Sequence, residues 1–195
     1  MCLFFESIKV LQGRAVNLDL HEDRLNRTRS ELLGLTEKIS LQHIKPTDRK
    51  SLQKCRVIYG EKIENIEFTP YIPKIIGHLR IVAADDFQYS YKFLDRRCFE
   101  NLLTGISPGS DILIVKNNKI TDTSYANIAF WDGVSWLTPA EPLLAGTKRE
   151  SLLRKGLLNL ADIRLKDLHL FKYAVMINAM LEIEDSPVIE IRNIR

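Results

Sequence analysis

Three dipeptides set the strongest limit on how this chain can fold. Gln12-Gly13, Asn117-Asn118 and Asp132-Gly133 each lie between two short apolar runs. Such pairs mark tight turns between antiparallel neighbours. The runs they join are 2–10 with 14–20, 110–115 with a run resuming at Lys119, and 127–131 with 134–137. All are short, apolar and partly alternating, so they read as strands. Hairpins in both halves of the chain rule out a helical bundle.

Helical patterns fall between the hairpins. His21 to Leu33 places Leu25, Leu32 and Leu33 on one side, with Asp19 as a possible N-cap and Gly34 as the C′ residue. A short helix is expected over Thr47–Lys54, another over Phe93–Leu103, and a third over Thr147–Leu158 with Thr147 and Glu150 as a capping box. Further strands read at 55–59, 63–68, 75–84, 175–178 and 188–191. Asp85 to Ser90 is polar and breaks the pattern. The expected class is α+β in two lobes: 1–84 a smaller lobe, 85–91 a linker, and 92–195 a larger lobe.

Composition narrows the function classes. The 28 Lys and Arg are interspersed with 25 Asp and Glu, for a net charge of +3. No basic block suggests a nucleic-acid arm, although a mild surplus suits a small anionic ligand. Cys2, Cys55 and Cys98 are isolated and odd in number, which points to reduced thiols and a cytoplasmic compartment. No apolar run is long enough for a membrane span, and the start lacks the pattern of a signal peptide. The histidines have no HExxH spacing and the cysteines no CxxC spacing, so no metal site is expected.

Several segments could carry chemistry. In 145–150 a Gly-Thr turn opens a helix, and helix N-termini attract anions. An ordinary helix start is the plainer reading of the segment taken alone. The hydroxyl-rich stretch 121–127 gathers an amide and one carboxylate, or is a loop of self-bonded turns. His21 and Arg24 share a helix face, where they meet an anion or stay solvated beside Glu22 and Asp23. Lys92 stands among Tyr89, Tyr91 and Phe93. An aromatic surround lowers an ammonium pKa and suits a Schiff-base lysine, while a snorkelling surface lysine is the plain alternative.

In this order the residues resemble the class IV aminotransferases, the fold-type IV pyridoxal-phosphate (PLP) enzymes. These include branched-chain and D-amino-acid aminotransferases and aminodeoxychorismate lyase. Phe5-Glu6-Ser7-Ile8-Lys9-Val10 resembles the family's FETIRV, and His21-Glu22-Asp23-Arg24-Leu25 its HxxRL. Lys92-Phe93-Leu94-Asp95-Arg96 resembles the lysine segment of the lyase branch, and Thr121 to Ile128 resembles TExxxxNIF. Thr138-Pro139 followed by Leu144 to Arg149 resembles TPxxxxxLpGitR.

The resemblance implies roles. Lys92 would form the aldimine with PLP and shuttle protons. Arg24 would clamp the phosphate, with the backbone at Gly146 and Thr147. Asn178 and Ala179 would lie near phosphate and substrate. Asp122 would pair with the pyridine nitrogen, where the family usually has Glu, and Asn127 of the same motif belongs to the cofactor side. The family usually begins with a further strand and a YGDG-type loop, so an N-terminally shortened version of the fold is expected. The implied architecture holds the cofactor between the lobes of a homodimer. The favoured reaction is that of a 4-amino-4-deoxychorismate lyase, which takes a small anionic amine and yields pyruvate and p-aminobenzoate. A class IV aminotransferase is the alternative, and a ligand-binding relative without catalysis a further one.

Overall fold

A computed structural model of the chain describes residues 2–46 and 51–195. The chain folds into two compact units. One comprises the residues up to Pro73 together with Tyr91–Asp95, the other Lys74–Ser90 with Arg96–Arg195.

The first unit is an antiparallel sheet backed by a helix. Its elements are β1 (Phe4–Leu11), β2 (Arg14–Ala15), α1 (Leu18–Leu33), β3 (Gln53–Tyr59) and β4 (Ile63–Pro70), in sheet order β2-β1-β3-β4. The period of two along β1 sends Phe4, Ile8 and Val10 into a core with Cys55, Val57, Tyr59 and Leu25 of α1. Glu6 belongs to the same alternating set, and it is fully buried. The strand expected over 14–20 stops after two residues. Asn17 takes up a left-handed conformation (φ 52°) and α1 starts at Leu18, ahead of the expected Asp19 cap. Gly34 ends α1 as expected, with φ 68°.

The expected helix over Thr47–Lys54 falls partly outside the described residues, and its last two positions, Gln53 and Lys54, belong to β3. The helix expected from Phe93 starts later. Phe93 bridges antiparallel to Phe4, and Leu94 N–H donates to the Leu3 carbonyl at 2.8 Å. This pairing uses an edge of β1 that the short β2 leaves open, and it holds Phe93 and Leu94 against that edge. Helical structure begins with a 3-10 turn at Arg97–Phe99 and continues in α2 (Glu100–Leu103).

The second unit carries two sheets. β5 (His78–Ala83), β6 (Ser110–Lys116) and β7 (Lys119–Thr123) form one, with β5 parallel to β6. That parallel ladder is why β5, expected in the first lobe, and the polar stretch after it belong with the second unit. The β6–β7 turn is made by Asn117 (φ 47°) and Asn118 (φ 65°), the positive pair that a tight hairpin needs.

The other sheet runs β10-β9-β8-β11-β12. Its strands are β8 (Asn127–Trp131), β9 (Trp136–Pro139), β10 (Asn159–Ala161), β11 (Tyr173–Ile177) and β12 (Val188–Glu190). Along β11, Ala174 and Met176 enter one core with Phe130 and Ile189. Val175 and Ile177 enter another with Leu152 of α3 (Thr147–Arg154) and Leu158. This sheet is therefore buried on both faces at its centre. Among the described residues no helix is long and apolar enough to cross a membrane.

Candidate functional site

His21 and Arg24 project from α1 onto Glu6 of β1. Arg24 Nε donates to Glu6 Oε1 at 2.8 Å and Nη2 to Oε2 at 2.5 Å, a bidentate pair. His21 Nδ1 lies 2.6 Å from Oε2. Burial alone would raise the Glu6 pKa. The Arg24 charge and the bonds from His21 and Arg24 outweigh it and hold the carboxyl down at about 2. Burial lowers the His21 pKa, so its imidazole is neutral near pH 7 and Nδ1 donates to Glu6. The anion foreseen for His21 and Arg24 thus includes one from the chain itself. Sequence reading gave Glu6 no role. The available signal was a lone carboxylate among core-facing Phe4, Ile8 and Val10.

Lys92 sits half-buried beside β1, its carbonyl accepting from Phe5 N–H at 3.0 Å. Its Nζ lies 4.7 Å from the Phe5 ring centroid. The sequence pointed to aromatic neighbours along the chain, yet Tyr91 and Phe93 turn elsewhere. Phe93 packs on Phe4 at 5.2 Å, and the Tyr91 hydroxyl donates to Glu31. The positive charge of Lys92 helps to lower the His21 pKa, so Lys92, His21 and Arg24 share one electrostatic neighbourhood.

In the second unit Asp122, Asn127 and Gly146 come together. Asn127 spends its amide hydrogens on Asp122 Oδ1 (2.7 Å) and the Leu144 carbonyl (2.9 Å). Leu144 N–H donates to Asp122 Oδ2 at 2.9 Å. This knits β7, the start of β8 and the loop entering α3. Burial pushes the Asp122 pKa up to about 6, against the pull of those donors and of the Arg149 charge.

Gly146 is the N-cap of α3, with φ −75°, so its need is for space and not for backbone freedom. A Cβ there would lie 1.9 Å from Asn127 Oδ1. Gly146→Ala is therefore expected to displace Asn127 from Asp122 and to cost about 1–3 kcal/mol, the usual penalty of overpacking. Equilibrium urea unfolding measures it, and an unchanged midpoint would refute this account.

Thr147 is the first residue of α3, and the N-cap position expected for it falls to Gly146. Glu150 pairs with Arg154, one turn on, at 2.7 Å. Asn178 and Ala179 lie in the turn after β11. There Asn178 Oδ1 accepts from Met180 N–H at 2.9 Å. Among the described residues no three His, Cys, Asp or Glu side chains gather as metal ligands would.

Asp122 gives a pH signature. Its pKa rises from 3.8 to about 6 on folding, so between those values the folded protein keeps a proton that the unfolded chain releases. The stabilising share is complete below pH 3.8 and is lost as pH rises through about 6. The stability of the wild type relative to Asp122→Asn is expected to fall by about 3 kcal/mol from pH 3 to pH 7. Urea titrations at each pH test this, and a flat difference would contradict it.

Taken unit by unit, these residues have chemistry suited to parts of a phosphorylated pyridine aldehyde. Arg24 is a guanidinium fixed in orientation, suited to a phosphate, and α3 offers backbone N–H groups at its start. Asp122 is a buried carboxylate, and each oxygen retains acceptor capacity beyond the bond noted. Lys92 is an amine beside an aromatic face.

The chain is similar to known proteins in fold and in sequence. The α+β fold is that of the fold-type IV PLP enzymes. A hypothetical aminotransferase from Mycobacterium tuberculosis in its PLP-bound form matches with a TM-score of 0.74 at 17% identity, over 96% of this chain and 79% of that one. The family model for amino-transferase class IV matches residues 109–191. An uncharacterised protein of Haemophilus influenzae is 33% identical over 90% of this chain and 96% of its own length. A crystal structure of a candidate 4-amino-4-deoxychorismate lyase from Haemophilus somnus 129PT has a TM-score of 0.81 and 30% identity, covering 92% of this chain and 97% of that one. The chain belongs to the class IV aminotransferase family.

Proposed function

We propose that the protein is a PLP-dependent lyase acting on 4-amino-4-deoxychorismate, releasing pyruvate and leaving p-aminobenzoate. PLP supplies an electron sink for the electron pair left when a bound amine loses a proton. Arg24 and the N–H groups at Gly146 and Thr147 hold the phosphate. Glu6 and His21 keep Arg24 in orientation. Asp122, fixed by Asn127 and Leu144, holds the proton on the pyridine nitrogen. Lys92 carries the cofactor and takes and returns the substrate proton. Asn178 and Ala179 border the phosphate and the substrate. The working form in this reading is a cytoplasmic homodimer, and the substrate a small anionic amine.

The observation that carries the choice of lyase is the 30% identity to the H. somnus protein across 97% of its length. The segment Lys92-x-x-Asp95-Arg96 supports it. An aminotransferase would share Lys92, Arg24 and Asp122 and differ in how it holds the substrate.

The test uses purified protein with added PLP. Visible absorbance, borohydride reduction and peptide mapping report the cofactor-bearing residue. Release of pyruvate and p-aminobenzoate from 4-amino-4-deoxychorismate then reports the reaction. Keto-acid formation from amino donors without pyruvate release would make the protein an aminotransferase. No absorbance and no fixed lysine would leave a ligand-binding relative.

A further inference from the structure

Lys148 and Arg149 occupy the second and third positions of α3, and both are buried. A helix start already carries partial positive charge, so a cation there is unfavourable unless an anion answers it. Lys148 Nζ lies 2.6 Å from each carboxylate oxygen of Glu182. Its side chain is 4% exposed, against 30% for Glu182. Glu182 stands just past the turn that begins at Asn178. Ser186 Oγ lies 2.7 Å from the Glu182 carbonyl and 2.8 Å from that of Met176, its one hydroxyl hydrogen shared between them, which fastens this stretch to β11. The ion pair therefore ties the first turn of α3 to the segment that follows β11.

We propose that Lys148 and Glu182 are positioning residues for a bound phosphate. Their pair holds the N–H groups at Gly146 and Thr147 in a fixed relation to the Asn178–Ala179 turn, so that both segments address one phosphate. The proposal rests on the reading of the α3 start as the phosphate site. Neither side chain needs to touch the anion. Their work is to fix two backbone segments about 30 residues apart in sequence in one arrangement, since their donors are useful only together.

Binding of PLP compared with pyridoxal, which lacks the phosphate, isolates this effect without any turnover. Equilibrium dialysis gives both dissociation constants. Lys148→Met leaves Glu182 within reach of water and should fold. Glu182→Gln strips a buried ammonium of its counter-charge, so the double variant Lys148→Met/Glu182→Gln stands in if that protein fails to fold. PLP binding is expected to weaken about tenfold or more in Lys148→Met and equally in the double variant, with pyridoxal changed by less than about twofold.

Three results would overturn the proposal. Equal weakening of both ligands, or no change in either, would make the pair a packing feature. Tighter PLP binding in Glu182→Gln would mark Lys148 as a direct phosphate ligand that Glu182 restrains. Wild-type protein that binds pyridoxal as well as PLP would remove the phosphate site itself, a failure visible before any variant is made.

Discussion

Lys92→Ala is expected to keep the fold and lose the chemistry. Borohydride should no longer fix cofactor to the peptide that contains residue 92, and turnover should fall by at least about a thousandfold. Loss of an acid–base group alone removes about a hundred- to ten-thousandfold, and covalent attachment goes with it. The fold should survive because what holds this segment is main chain and aromatic packing. Phe5 N–H bonds the Lys92 carbonyl, Leu94 N–H bonds Leu3, and Phe93 packs on Phe4. None of these needs the ammonium. Absorbance after reduction, turnover and far-UV circular dichroism check the three parts. Fixed cofactor with unchanged turnover in Lys92→Ala would move the reactive amine to another residue.

Glu6→Gln is the second large effect, and here the fold bears the loss. The amide oxygen can replace only part of what two carboxylate oxygens accept, and the amide hydrogens face donors. Arg24 is left as a buried charge without its counter-ion, at a cost of about 3–5 kcal/mol. Acid should narrow the gap. The Glu6 pKa falls from 4.5 to about 2 on folding, so its stabilising share is present above 4.5 and is lost as pH falls through about 2. The wild type and Glu6→Gln should therefore converge by about 3 kcal/mol over that range. Denaturant titrations between pH 2 and pH 6 read this, and a gap independent of pH would show that the Glu6 charge is not what stabilises the cluster.

Three strand pairings, β1 with β2, β6 with β7 and β8 with β9, were legible because they are local. Asn117-Asn118 and Asp132-Gly133 announce their hairpins, and the strand residues between such turns can do little else. What stayed hidden was set by partners distant in sequence. Nothing near Lys92 says that residues 92–94 will pair with β1, so helical propensity from Phe93 onward read as an earlier helix start. Nothing in 75–84 says that β5 will lie parallel to β6, which requires Ser110 to Val115 to come alongside it. The cap position was misplaced by one residue for a related reason. Gly146 must approach Asn127 closely, and it takes the cap position from Thr147.

The site followed the same rule. Arg24, Lys92 and Asp122 stood out because their motifs are contiguous in sequence. Glu6 was quoted in a motif and given no role, since its importance comes only from α1 folding over β1. Asn127 illustrates the intermediate case. Its place in the motif was readable, whereas its grip on both Asp122 and the Leu144 carbonyl depends on a loop 17 residues away.

Phe5 and Glu6 are consecutive on β1, so their side chains leave opposite faces of one strand. Phe5 lies under the Lys92 ammonium, and Glu6 anchors Arg24. A strand of this kind tolerates exchange of side chains far better than a change in the count of residues. Deleting or inserting one residue between Glu6 and Ile8, with Ile8 to Val10 kept in their pairing to β3, would slip Phe5 and Glu6 by one position and exchange their faces together. The contact of Phe5 with Lys92 and that of Glu6 with Arg24 are thereby gauged by a single ruler. Variation along β1 should run to replacement, never to length.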